Sequence, residues 1–285
     1  MSAEDLLAKV KKLREITGVG FKDCKIAIDE NQGDIEKSID FLRKKGIAKA
    51  SKRMDRVARE GLICICEKNE NLSMIEINSE TDFVAKNKEF ISFCKEVSEI
   101  NLVSKGDLEK IKNSKMKNNI SVSENLINLI SKIGEKLTIK RATYFDNNNG
   151  KNFFYTHSAI DKNLGKIVSI VKIENNSDDQ LGQKIAMHIA ASSPLAIDKE
   201  GIKKEILDKE MEIIKAELLN SGKKGEMVEK ISKGKINKFI SDNTLLNQIW
   251  IMDPKKKVLD VLKENKNTKD IKILDFVRYK VGEGV

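Results

Sequence analysis

The sequence predicts an α+β fold: a small helical unit at the front, two similar sheet-and-helix subdomains behind it, and a helical hairpin inserted in the second. Three observations carry this. Apolar residues recur at helical spacing through the first fifty residues, with tight turns between the runs. Strand patterns followed by an amphipathic helix then occur twice. Finally, a strongly charged stretch carries the apolar spacing of a coiled-coil seam. The 285 residues give ample chain for more than one core. The expected units are residues 1–55, 56–141 and 142–285, with the hairpin at about 198–242.

Leu6, Val10 and Leu13 share one face of a first helix running from Ala3 to about Thr17. Gly18-Val19-Gly20 breaks it, Gly18 suiting a left-handed cap. A second helix runs from Phe21 to Glu30. Asp34 then caps a third that carries Ile35, Ile39 and Leu42, with Gly46 as its expected end. The basic run from Lys44 to Arg59 reads as a linker or exposed helix. Gly61–Glu67 and Leu72–Asn78 form a hairpin about Lys68–Asn71. The next helix carries Phe90, Phe93, Cys94 and Val97. Lys105–Asn119 is polar, read as loop or loose helix, and Ser123 can cap the helix bearing Leu126, Leu129 and Ile133. Strands at Leu137–Phe145, Phe153–Tyr155 and Lys166–Ile173 repeat the plan, and Asp178 and Asp179 open the helix that follows. Leu207, Met211, Ile214 and Leu218 make the hairpin seam, turning at Gly222–Gly225, and Gly234 weakens the returning helix. A short strand near Trp250, a helix at Val258–Leu262 and a strand at Leu274–Val281 complete the order.

The formal net charge is +9, from 53 basic and 44 acidic residues, and the signs are interleaved. Interleaving favours a solvated surface or an acidic protein partner over DNA. Aromatics are only 5%, poor material for stacking bases. Cys24, Cys64, Cys66 and Cys94 form no CxxC and read as buried thiols in a reducing cytosol. No leader or long apolar span is legible, so the expected location is the cytoplasm, away from membranes.

Catalytic signals are missing. Gly165-Lys166, Gly222-Lys223 and Gly234-Lys235 are followed by Ile167, Lys224 and Ile236, so none puts a hydroxyl on magnesium as a phosphate loop does. His157 and His188 have no partner cluster. His188, among apolar helix positions, reads as structural; His157, at a strand end, reads as a contact residue at most. The expectation is a protein that is not an enzyme, with no cofactor, no metal and no nucleotide of its own.

The most informative segment is Asn78–Asn87, where Thr81-Asp82-Phe83 sits at a strand-to-helix corner. Phe83 is either a core aromatic with Asp82 as a cap, or a protruding apolar wedge with an acid beside it. An aromatic anchor seated in a pocket often dominates interface energy. The Lys-rich hairpin is either a nucleic-acid clamp or a protein-contact arm; Glu205, Glu210, Glu212, Glu217, Glu226 and Glu229 repel phosphates and favour the arm.

Five segments, in order and spanning nearly the whole chain, resemble bacterial elongation factor Ts. They are Thr17–Lys25, Asn31–Glu36, Thr81–Ala85, Met187–Pro194 and Val281–Gly284. Members of that family exchange guanine nucleotide on elongation factor Tu, so the resemblance implies a translation factor with that GTPase as partner. It implies a ubiquitin-associated-like first unit that grips the GTPase through Lys11, Arg14, the loop Val19, Gly20, Phe21, Lys22, Asp23 and Lys25, and Arg53. It implies a wedge made by Thr81, Asp82, Phe83 and Val84 beside the partner's magnesium site, and a contact at His157. Ser158–Asn163 is longer than the family's glycine-rich turn. Some members carry a further C-terminal helix on the partner; this sequence stops at Val285, and fewer contacts are expected. The competing reading is a basic ribosome- or RNA-associated protein, which would bind RNA with a steep salt dependence.

Overall fold

A computed structural model describes residues 3–17, 19–53, 55–161, 163–174, 178–223, 225–265 and 270–284. The cap expected at Gly18 lies outside them. Helices α1 (Ala3–Thr17), α2 (Phe21–Glu30) and α3 (Ile35–Ser51) pack around Val10, Leu13, Cys24, Ala27, Ile28 and Leu42. Asp34 caps α3, its carboxylate accepting the Lys37 N–H at 3.0 Å. Ser38 ties α3 to α2 by donating its hydroxyl to the Ala27 carbonyl at 3.0 Å.

Gly46 does not end α3. The helix continues five residues beyond it, to Ser51. The reason is a close approach: a methyl at Gly46 would stand 2.7 Å from Ser131 Oγ on α6 (Val122–Ile133). An Arg43–Glu124 ion pair and the burial of Ala50 fasten the same two helices.

Two antiparallel sheets follow. The first has the order β3-β2-β1-β5, with β1 at Glu60–Lys68, β2 at Asn71–Ser79, β3 at Thr138–Phe145 and β5 at Leu164–Gly165. The second has the order β4-β6-β7, with β4 at Lys151–His157, β6 at Ile167–Glu174 and β7 at Lys272–Lys280. The β1–β2 turn is two residues long, Asn69 and Glu70 both having positive φ (51° and 62°). That geometry matches the twist of the flanking strands. The division expected at 141/142 falls inside β3, and β5, from the later segment, joins the first sheet.

The sheets lie face to face. Ile63, Ile65, Leu72, Met74 and Phe145 of the first meet Val168, Ile170 and Tyr279 of the second. The outer face of the first carries Leu62, Cys64, Ile75 and Ile77 beneath α6 and α4 (Lys88–Ser104). The outer face of the second carries Phe153, Val171 and Ile173 beneath α7 (Asp179–Ser192) and Trp250. The layers therefore run helix, sheet, sheet, helix. β1 and β2 are buried on both faces, which is why β1 reads as a near-continuous apolar run from Leu62 to Cys66.

Smaller departures have local causes. Ser121, not Ser123, caps α6, through a capping box with Glu124. The polar stretch contains a short helix, α5 (Leu108–Asn113), capped by Asp107. The hairpin is α8 (Lys204–Asn220) and α9 (Glu226–Asn243), closed by Ile214, Leu218 and Val228 and laced by Lys215–Glu229 and Lys235–Glu217 at 2.7 and 3.0 Å. Gly234 stays within α9. The segment at Trp250 is a turn with an isolated Ile249–Lys257 bridge instead of a strand, and it leads into α10 (Val258–Glu264).

The closing Val281–Gly284 motif is held by a buried carboxylate. Glu76 accepts from Arg141 Nε at 2.6 Å, and from Asn78 Nδ2 and the Gly282 N–H at 3.0 Å each. Arg141 lies 4.0 Å over the Tyr279 ring, whose hydroxyl is pushed up to about 12 by burial. Gly282 has φ 77°, and a Cβ there would be 2.2 Å from the Arg59 carbonyl, so no other residue fits.

Candidate functional site

The corner after β2 turns a core strand into a surface projection over a few residues. Ser79 is the last buried residue of β2. Its hydroxyl donates to the Thr81 carbonyl at 2.9 Å. Asp82 and Phe83 turn outward, a single 3-10 turn spans Val84–Lys86, and Asn87 caps α4 by accepting from the Glu89 and Phe90 N–H groups at 2.8 and 3.2 Å. Phe83 is 77% exposed, whereas Phe90 is 0% exposed. Of the two readings of this aromatic, the core reading is excluded.

The corner is braced from beneath. Glu135, just beyond α6, accepts the Thr81 N–H at 2.9 Å and the Thr81 hydroxyl at 2.7 Å. Glu80 returns the contact by accepting the Lys136 N–H at 2.6 Å. Arg56 lies 3.4 Å from both Glu80 oxygens, and Lys136 Nζ donates to the Arg56 carbonyl at 2.8 Å. Charge-assisted bonds of this kind are about twice as strong as neutral ones. Above them, Asp82 faces solvent with Lys86 at 3.6 Å. Sequence reasoning missed Glu80, Glu135, Lys136 and Arg56. The one available signal was Gly134-Glu135-Lys136, an acid delivered by the glycine that ends α6 at φ 86°.

The other expected contact residues separate into groups. Lys11, Arg14, Gly20, Phe21, Lys22 and Lys25 are exposed on the helical unit, and Phe21 keeps 43% of its surface open. Lys11 and Arg14 are three apart on α1 and share a face. Val19 is half-buried against the unit's core, and Asp23 pairs with Lys45 at 3.2 Å. Two residues depart from the expectation. Val84 is 5% exposed and packs into the core beneath α4, because the 3-10 turn points it inward. Arg53 donates to the Ile130 carbonyl at 3.2 Å, satisfying the end of α6 within its own chain. His157 is exposed at the end of β4, its Nδ1 3.5 Å from the Tyr155 hydroxyl.

His188 is fully buried and stacks on Trp250, with ring centroids 5.2 Å apart. Its Nδ1 accepts from the Ile251 N–H at 3.4 Å and its Nε2 lies 3.1 Å from Gln248 Oε1, so Nε2 carries the proton. Burial lowers its pKa against the opposing pull of Gln248. Burial pushes the Cys24, Cys66 and Cys94 thiols up, so they are weak nucleophiles at neutral pH. Among the described residues no group of three His, Cys, Asp or Glu side chains is arranged to hold a metal, and no helix is long and apolar enough to cross a membrane.

Residues 80–283 match the family model for elongation factor Ts. The chain belongs to the elongation factor Ts family. It is 41% identical to elongation factor Ts of Nitrobacter hamburgensis over 98% of this chain and 92% of that protein. It is 38% identical to that of Rickettsia prowazekii, over 97% and 91%, and 39% identical to that of Methylorubrum populi, over 98% and 92%. Membership makes it a translation elongation factor. The match begins at Glu80, at the first residue of the braced corner.

Proposed function

We propose that the chain promotes release of GDP from elongation factor Tu by inserting Thr81-Asp82-Phe83 beside that GTPase's magnesium and phosphate site. The observation that carries this reading is Phe83: 77% exposed on a backbone fastened at both sides. An exposed aromatic on a fixed support keeps its apolar surface for a partner and loses little entropy on insertion. Lys11, Arg14 and the Val19–Lys25 connection then dock the helical unit on the GTPase, and His157 makes a separate contact from the end of β4.

The mechanism is linkage, with no covalent step for this chain. GDP and magnesium stabilise one arrangement of the partner's phosphate-binding loops, and the inserted ring stabilises another. Whatever ratio the factor takes from nucleotide affinity, nucleotide takes from factor affinity, so GTP binding expels the factor. A coupling of about 3 kcal/mol would loosen nucleotide roughly a hundredfold. Phe83 supplies the differential packing, and the Asp82 carboxylate sets a negative charge near the phosphates.

The test is release of fluorescent GDP from elongation factor Tu with and without this chain. Acceleration that saturates with chain concentration is expected. An unchanged release rate at concentrations where the two proteins co-purify overturns the reading.

A further inference from the structure

We propose that Glu135 is a positioning residue whose carboxylate sets the aim of Phe83 through Thr81. The inference rests on the wedge reading above and deepens it. A ring 77% exposed takes little direction from packing on its own subunit, so the backbone must supply it. Two oxygens of Glu135 grip Thr81, at 2.9 Å on the N–H and 2.7 Å on the hydroxyl, two residues before the ring. Two contacts from one planar group fix rotation as well as distance. Glu80 reciprocates on the Lys136 N–H at 2.6 Å, so two adjacent residue pairs clasp each other across the chain. On the other side Val84 and Ala85 are buried in the core. Asp82 and Phe83 are thus the free crest of a segment pinned at both ends.

The clasp is costly to explain as stability alone. The fold already holds this strand by ladders along its whole length on β1 and from Leu72 to Asn78 on β3. What the ladders cannot set is the direction in which the chain leaves Ser79. A group held in its productive direction beforehand inserts without ordering itself at that moment. Glu135 should therefore act after docking, on the limiting rate of nucleotide release, and leave docking affinity alone.

The experiment measures release of fluorescent GDP from elongation factor Tu against concentration of full-length chain. The variants are Glu135→Ala, Glu135→Gln, Phe83→Ala and the Phe83→Ala/Glu135→Ala double, each with its melting curve. Glu135→Ala is expected to lower the limiting rate about tenfold, the weight of one charge-assisted hydrogen bond, with the half-saturating concentration within about twofold of wild type. Glu135→Gln should recover most of the rate, because its amide can accept from the Thr81 N–H and donate to the hydroxyl oxygen. The double variant should be no slower than Phe83→Ala, since a missing ring needs no aim. If Glu135→Ala is too unstable to assay, Thr81→Val, equal in shape and lacking only the hydroxyl, takes its place with an expected loss of about threefold.

A wild-type limiting rate for Glu135→Ala beside a slow Phe83→Ala overturns this inference and leaves the wedge standing. Losses that multiply in the double variant also overturn it, because Glu135 would then act on the fold as a whole. A wild-type rate for Phe83→Ala overturns the wedge reading and takes this inference with it.

Discussion

Two of the chain's aromatic–polar pairs, Asp82 with Phe83 and His188 with Trp250, are built in opposite ways. His188 and Trp250 are both buried and stacked, and each polar atom of the histidine ring has a partner in the chain. Asp82 and Phe83 are both exposed, although the backbone beneath them is tied more tightly than that of an ordinary turn. Both histidine and aromatic residues are common at functional sites, so residue type alone does not separate the pairs. What separates them is where the hydrogen bonds go. At His188 they satisfy the side chain itself and stabilise the fold. At the corner they fall on Ser79, Glu80 and Thr81 beneath the crest and leave the Phe83 ring uncovered, which is how a fold presents a group to something else.

The largest effect should come from the buried pair. Trp250→Ala removes a ring from the core that joins α7, α10 and the second sheet, and should lower stability by about 3–5 kcal/mol, read from denaturant unfolding. Below its melting temperature the variant should still accelerate GDP release. Loss of exchange in a folded Trp250→Ala protein would break the comparison, because the buried pair would then serve the partner too. Phe83→Ala is the mirror test. It should slow release by an amount worth about 2 kcal/mol, the scale of an interface anchor, while stability changes by no more than about 0.5 kcal/mol. A large stability loss on truncating Phe83 would mean that the ring packs on its own subunit after all.

The same contrast explains what the sequence disclosed. Helix and strand order was legible because α1, α3, α7 and the hairpin announce themselves by apolar spacing, and α3 and α7 also by their caps Asp34 and Asp178. Gly46 misled, because a glycine that permits close helix packing looks the same in sequence as one that ends a helix. Val84 misled because proximity to Phe83 in sequence says nothing about which way a 3-10 turn points. The exposure of Phe83 could not be decided from pattern, and the resemblance to a family is what tilted it. The Glu135 clasp left only the glycine before it as a signal: its partners are 54 residues apart, and one-dimensional periodicity cannot report a carboxylate reaching across to a backbone N–H.

Acidification should distinguish the pairs by a smaller effect. His188 has its pKa lowered by burial, so in the folded protein it stays neutral where the unfolded chain takes up a proton. The unfolded state then binds more protons, and stability falls as pH falls. The contribution is present in full above about 6.5, the ordinary imidazole value, and is lost as pH drops toward the folded value. Melting temperatures at pH 7.5 and 5.5 should differ, and His188→Gln should flatten the difference. The capping carboxylates of Asp34, Asp107 and Asp178, lowered by the hydrogen bonds they accept, hold their charge through that range and lose it only on stronger acidification.

The smallest effect should come from Lys86→Ala. Lys86 and Asp82 form an ion pair at 3.6 Å between two exposed side chains, and such pairs contribute about 0.5 kcal/mol or less. The melting temperature should hardly move, and the corner should keep its shape, because its bracing runs through Thr81, Glu80 and Glu135 and not through Asp82. Exchange, in contrast, has a reason to respond. Without the ammonium the Asp82 carboxylate meets the partner's phosphates unscreened, so GDP release should stay equal to wild type or rise slightly, and more so at low salt. A fall in release together with a fall in melting temperature would show that the ion pair holds the crest in place. The corner would then resemble the His188 site more than the comparison allows, with side-chain bonds spent on stability.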